Sequence, residues 1–151
     1  MNPPPPSDGP PRSVEHDQRD QYPVDQIPAI RQVMMPRDTN AVGTIFGGVI
    51  LSQIDLAAAI EAHKHHPSRV LTVSMDKVEF KAPVCVGDLV SFYTTTSRVG
   101  RTSITIHVSV WAQRRFGGGA VEYVTEAEVT MVAVDKDNRP TPVGQIAEDG
   151  K

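Results

Sequence analysis

A chain of 151 residues, 39% of them hydrophobic, suits one domain, and a formal net charge of −3 offers no basic excess for a general nucleic-acid binder. No stretch approaches the roughly 20 apolar residues of a membrane span. The single cysteine, Cys85, has no partner for an intramolecular disulfide, as suits a reducing compartment, so a soluble, cytoplasmic protein is expected.

Residues 1–25 include Pro3-Pro4-Pro5-Pro6 and Pro10-Pro11 and almost no apolar side chains, a composition that cannot bury enough surface to offset ordering entropy. A disordered, proline-rich, acidic extension is expected there. Its acids (Asp8, Glu15, Asp17, Asp20, Asp25) and bases (Arg12, Arg19) account for the whole net charge, so the body from 26 onward is balanced. The acids and the lack of an apolar core argue against a transit or secretory signal.

Ala29 to Met35, ended by Pro36, reads as an edge strand. A polar loop from Arg37 to Thr44 feeds Ile45-Phe46-Gly47-Gly48. A helix is expected from about Gly48 to His65, stopped by Pro67 and roughly 25 Å long. Val70–Met75 reads as a strand leading into Val78-Glu79-Phe80, with a bulge or change of burial where the apolar side switches between Met75 and Val78. Leu89–Thr96 is the next strand. In the one after it Ile104, Ile106, Val108 and Val110 alternate with Ser103, Thr105, His107, Ser109 and Trp111, the period of a half-buried strand. Gly117-Gly118-Gly119 turns the chain into a last strand, Val121–Val134. A turn at Asp135–Asn138 and a polar tail over 141–151 complete the chain.

Short connections imply antiparallel neighbours, and the only cover for one face of such a sheet is the helix. The expected fold is α+β: a curved antiparallel sheet of five or six strands around one long central helix, the hotdog architecture, over residues 26–140.

That helix is apolar on nearly every side from Val49 to Ile60, with one charge, Asp55. Full enclosure by the fold is expected, and a lone carboxylate in such a place is costly unless paired or catalytic. The glycine pair just upstream leaves bare backbone N–H groups at a helix N-terminus, a receptor for a developing negative oxygen. Acid and oxyanion site on one segment suggest hydrolysis of an ester or thioester. Gly48 and Asp55 lie about 10 Å apart along the axis, too far to grip one reacting carbon. Asp55 is therefore expected to work with Gly48 of a second copy across a two-fold interface.

Asp38-Thr39-Asn40-Ala41-Val42-Gly43-Thr44-Ile45-Phe46-Gly47-Gly48, followed by Ser52-Gln53-Ile54-Asp55, resembles the signature of hotdog acyl-CoA thioesterases of the YciA and cytosolic acyl-CoA hydrolase type. Phe80-Lys81-Ala82-Pro83-Val84-Cys85-Val86-Gly87-Asp88 and Gly100-Arg101-Thr102-Ser103 are similar to its later motifs. The resemblance implies a cytosolic enzyme that cleaves acyl-CoA to CoA and a free acid, needs no cofactor, and forms homo-oligomers, a dimer at least and a trimer of dimers by family habit. It implies Asp55 as the catalytic carboxylate, general base or nucleophile, with Asn40, Gly47 and Gly48 holding the thioester carbonyl. Val42 and Val49 depart from the family pattern, where a polar Asn and an aromatic are common, and an altered acyl preference is expected from them.

The CoA phosphates call for positive charge near a sheet edge, supplied by Lys81, Arg101, Arg114 or Arg115 with Thr102 and Ser103 as donors. Each site residue also has a plain structural reading: a satisfied acid for Asp55, a local turn for Asn40, close packing for the glycines, ordinary surface charge for the bases. His63, His65 and His66 with Glu61 at the helix end lack a metal-ligand spacing, so no metal is expected. Cys85 is expected to be buried and inert, and Trp111 and Tyr123 to pack as core aromatics. Two other functions stay open: a non-catalytic acyl-CoA sensor, and a hydratase or dehydratase on the same fold.

Overall fold

The computed structural model describes residues 21–116 and 118–145; residues 1–20 of the extension expected over 1–25, Gly117 of the expected hairpin loop and the last six residues of the tail lie outside them. The elements are β1 (Ile30–Val33), α1 (Gly47–Ala62), β2 (Val70–Asp76), β3 (Leu89–Val99), β4 (Ser103–Gln113) and β5 (Val121–Ala133), with a 3-10 turn at Pro36–Asp38. The five strands form one antiparallel sheet in the order β1-β3-β4-β5-β2, wrapped round α1. The hotdog architecture expected from the element order is the one observed.

β4, with the cleanest alternation, lies at the centre. Its Ile104, Ile106, Val108 and Val110 are fully buried toward the helix. There they meet Val90 and Phe92 of β3, Ala127, Val129 and Met131 of β5, and Ile50, Ile54, Ala57, Ala58 and Ala62 of α1. Burying a branched aliphatic side chain contributes about 1.5–3 kcal/mol, so this one shared core holds helix and sheet together. The other face of β4 is polar apart from Trp111, which packs edge-on against Tyr123 at 5.3 Å. Tyr22, inside the stretch expected to be extension, packs on both Trp111 and Tyr93. At the other end Thr141 and Val143 bond back to Ala133 and Arg101, so ordered contacts run past both expected domain boundaries.

Three expectations are corrected. β2 and β3 are consecutive but not neighbours: the chain from Lys77 to Asp88 carries β3 to the far side, leaving β2 paired only with β5. Val78–Phe80 is not strand; β2 ends at Asp76 and Lys77 takes a left-handed φ of 61°, which breaks the run where its apolar side switches. The helix stops at Ala62, where His63 caps it and Lys64 and His65 donate to Glu61 and Ala62 in tighter turns.

Full enclosure of α1 is also overturned. Ile50, Ile54, Ala57, Ala58, Glu61 and Ala62 are buried, whereas Phe46, Leu56 and Ile60 are about half exposed. A single sheet curls round only part of a helix, so an all-round apolar helix leaves a stripe over. Leu71 and Val73 on β2 are exposed as well.

Candidate active site at the helix entrance and mid-helix

The helix entrance is fastened to two loops. Ile45 N–H donates to Val84 O and Phe46 N–H to Asp38 O, each at 2.8 Å. Between them Asn40 builds the turn: its Oδ1 accepts from Val42 and Thr44 N–H at 3.0 and 3.2 Å, and its Nδ2 donates to Thr44 Oγ1 at 2.9 Å. Gly43 closes that turn at φ +91°, a conformation costly for any other residue. The local reading of Asn40 is thus supported by three side-chain bonds, all of them inside the loop.

Phe46 is the N-cap of α1 and offers no side-chain cap. Val49 N–H bonds back to Phe46 O at 3.0 Å, while the N–H groups of Gly47 and Gly48 have no acceptor among the described residues. Two uncommitted donors at the positive end of a sixteen-residue helix form an anion receptor. The glycines are needed for different reasons. A Cβ on Gly48 would come within 2.4 Å of the Phe46 ring, whereas one on Gly47 would only touch the Phe80 ring at 3.7 Å. Beside Gly47 opens an apolar hollow of about 370 Å³ lined by Ile45, Ile50, Phe80, Pro83 and Val84, with Lys81 at its rim.

Asp55 lies two turns further along, half-buried, at the border between the exposed stripe of α1 and strand β2. Thr72 Oγ1 donates to Asp55 Oδ1 at 2.5 Å. A hydroxyl so close to a carboxylate is in the range of charge-assisted bonds. Thr72 stands at the break in register between Thr72 and Ser74 against β5, and such a bulge re-aims the side chain beside it. This partner went unread in the sequence: Thr72 is one of many strand threonines, and only the sheet order puts β2 next to the middle of the helix. Phe46 and Phe80 also went unread as site residues, although a bulky residue beside a glycine pair was a usable signal.

The other candidates are dispersed. Lys81 stays near the helix entrance, paired with Glu79 at 3.0 Å in an exposed ion pair. Arg114 is taken up by structure: it pairs with both Asp88 and Glu122, and its Nη2 donates to Pro83 O at 2.8 Å. Burial opposes its charge, but the two carboxylates outweigh that and raise its pKa further. Arg115 packs over Phe116 instead, 5.8 Å from the ring centroid. Arg101, Thr102 and Ser103 form the β3–β4 hairpin at the opposite end of the domain, beside the C-terminus of α1. Arg101 is exposed, and Ser103 Oγ lies over Gly100, where a Cβ would meet it at 2.7 Å. One copy therefore does not bring these bases and donors to Gly47.

The polar cluster at the helix C-terminus has its own business. Glu61 is buried and accepts from Thr94 and Thr96 at 3.2 and 3.1 Å while Lys64 pairs with it at 2.7 Å. His65 Nε2 meets Thr96 Oγ1 at 2.8 Å, and buried His66 accepts from Gly144 N–H at 3.2 Å. Among the described residues no three His, Cys, Asp or Glu side chains converge as metal ligands. Cys85 is exposed, contrary to expectation, because it sits on the outer corner of the turn whose N–H is held by Asp88. No helix among the described residues is long and apolar enough to cross a membrane.

Comparison with known proteins gives this geometry a context. The family model of the thioesterase superfamily matches residues 42–115, from the loop before the glycine pair to the end of β4. The acyl-CoA thioester hydrolase YciA of Salmonella typhimurium is 41% identical over 116 residues, covering 76% of this chain and 87% of that one. The crystal structure of a hexameric hotdog fold thioesterase from Campylobacter jejuni superposes with a TM-score of 0.75 at 50% identity, covering 79% of this chain and 91% of that one. A hexameric broad specificity acyl-coenzyme A thioesterase, solved as an aspartate-to-alanine variant, gives a TM-score of 0.75 at 38% identity over 82% of this chain and 90% of that one. The free donors at the helix entrance, the carboxylate at mid-helix and these likenesses lead to one assignment: the chain belongs to the thioesterase superfamily, as a thioester hydrolase of the hotdog fold.

Proposed function

We propose that this protein hydrolyses acyl-CoA to CoA and a carboxylic acid, at sites shared between two copies, with Asp55 as the reacting carboxylate. The observation that carries the reading is Asp55 itself, held by Thr72 on the border of an uncovered apolar stripe. Such a stripe of Phe46, Leu56 and Ile60, continued by Leu71 and Val73 of β2, is the kind of surface that a second copy covers. Antiparallel apposition of two α1 helices sets Asp55 of one copy near Gly47 and Gly48 of the other. It thereby removes the about 10 Å separation within one chain. It also carries the partner's Arg101 hairpin toward the same helix entrance. The relatives that are hexamers support a higher assembly of such dimers here too.

The chemistry then runs in two stages. The thioester carbonyl oxygen sits at the free N–H groups of the glycine pair, where the helix end favours the negative charge that develops on it. Asp55 takes a proton from water as the water oxygen bonds to the carbonyl carbon. The tetrahedral intermediate collapses, the C–S bond breaks, and the thiolate of CoA leaves; the proton held by Asp55 ends on that sulfur. In the nucleophilic variant Asp55 attacks directly, and water cleaves the resulting mixed anhydride. Thiolate leaves readily, so no strong general acid is required. Lys81 and the partner's hairpin bases are assigned to the CoA phosphates. Arg114, held by Asp88, Glu122 and the Pro83 carbonyl, is not.

The test is thiol release from a panel of acyl-CoA esters, followed with a thiol-trapping reagent. Release that saturates with acyl-CoA is the expected result. Tight binding of acyl-CoA without release of thiol sinks the enzyme reading and favours a sensor.

A further inference from the structure

We propose that Phe46 is a specificity-determining residue, which makes the site reject acyl groups branched at the carbon next to the carbonyl. The inference rests on the thioesterase reading and concerns the same helix entrance. A half-exposed phenylalanine as helix N-cap, 57% exposed, has no capping role and little packing of its own. Its ring is nevertheless in one definite place. The position a Gly48 Cβ would occupy lies 2.4, 3.0 and 3.1 Å from three of its carbons, so the ring rests flush on the Gly48 backbone.

On the neighbouring residue the Phe80 ring lies at contact distance, 3.7 Å from a Gly47 Cβ position, and is itself 44% exposed. The two rings therefore flank consecutive glycines. Gly47 lines the apolar hollow; Gly48 does not, being covered by Phe46. The N–H groups of the first helical turn point out along the axis, and the proposed approach to them runs past both rings. A carbonyl oxygen can reach them only if the atoms attached to the carbonyl carbon pass between two aromatic walls. A methylene passes with its hydrogens staggered against the rings. A second substituent on that carbon has to displace one ring, and the Phe46 ring cannot give way toward Gly48, on whose backbone it already rests. Filling or overfilling a tight apolar slot by one methyl group typically changes kcat/KM about 10–200-fold.

The experiment compares thiol release from butyryl-CoA and isobutyryl-CoA, which carry equal numbers of carbons and differ only in that branch. The unaltered protein should favour butyryl-CoA by about tenfold or more in kcat/KM. Phe46→Ala should shrink that ratio to within about threefold, chiefly by gaining on isobutyryl-CoA. Phe46→Leu, which keeps the bulk for assembly, should give an intermediate ratio. Gly48→Ala, which pushes the ring away, should shift the ratio in the same direction as Phe46→Ala, and in the double variant the two effects should not add. A ratio unchanged by Phe46→Ala or Phe46→Leu in protein of unaltered oligomeric state overturns the assignment to Phe46 and leaves the thioesterase reading standing. Absence of thiol release from both esters in the unaltered protein removes both.

Discussion

Thr72 reaches across from the edge strand β2 to Asp55 at mid-helix, a 2.5 Å bond between residues 17 apart in sequence. It fixes the carboxylate at the border of the uncovered helix stripe and leaves its second oxygen without a partner among the described residues. One oxygen is therefore oriented and the other is available to water.

Asp55→Asn keeps the shape and the Thr72 contact but removes the base. Thiol release should fall by about 10²–10⁴-fold. Gel filtration with light scattering should show the same assembly as the unaltered protein. Activity within a few-fold of normal would remove Asp55 from the mechanism.

Thr72→Val is nearly the same size and lacks the hydroxyl. A hydrogen bond to a charged group is worth about 1.5–3 kcal/mol, so kcat should drop roughly 10–100-fold if the bond aims Asp55 in the transition state. KM should change little, since Thr72 is not assigned a contact with CoA. A change confined to KM would contradict this division of roles.

Leu56→Glu places a charge in the middle of the exposed stripe of α1. In a single copy the position is 54% exposed and tolerates it. Across an interface it does not. Dissociation to monomers with loss of thiol release, at an almost unchanged circular dichroism spectrum, is expected. An active monomer would refute the shared site.

Arg114→Met separates structure from CoA binding. Asp88 is 3% exposed and loses its cation, and breaking a buried pair costs about 3–5 kcal/mol. The melting temperature should fall markedly. In the folded fraction KM for acyl-CoA should be near normal, whereas Arg101→Ala should raise KM without affecting melting.

Stability should also respond to mild acid through His66. Burial, and secondarily the charge of His63, lower its pKa from the ordinary 6.5. The unfolded chain therefore takes up the proton first. The stability contribution is complete above about pH 6.5 and is lost as pH falls from there through the folded value. Melting curves between pH 8 and pH 5 should show that loss, and His66→Gln should flatten it. Glu61 acts lower in the scale. Burial works against its charge, but Lys64, Thr96 and Thr94 outweigh it and depress its pKa, so its contribution is lost only below about 4.5.

The sequence made the fold legible because β4 alternates cleanly from Ser103 to Val110 and Val49–Ile60 carries only one charge. Both patterns follow from local periodicity, which a string of residues carries in full. Sheet order is less local. The neighbour of β2 is β5, more than forty residues on, and nothing in Val70–Asp76 says so. For that reason Thr72 could not be matched to Asp55. Arg114 illustrates a related cause: a base at a strand end reads as free charge until Asp88 and Glu122, on two other segments, are brought to it. Asn40 followed its intrinsic turn chemistry, which is local and readable. The uncovered stripe of α1 was read as core since hydrophobicity tells how much will be covered, not by which chain.

Half of the buried residues of α1 are alanine: Ala57, Ala58 and Ala62 show no exposure at all. Methyl groups let the helix settle low on its bed, closer than leucines would allow. That depth is what makes a one-carbon hydroxyl on a rim strand long enough to touch a one-carbon carboxylate on the helix. A larger residue at Ala58 would raise the rod like a shim, and the first casualty would be a reach already at its limit.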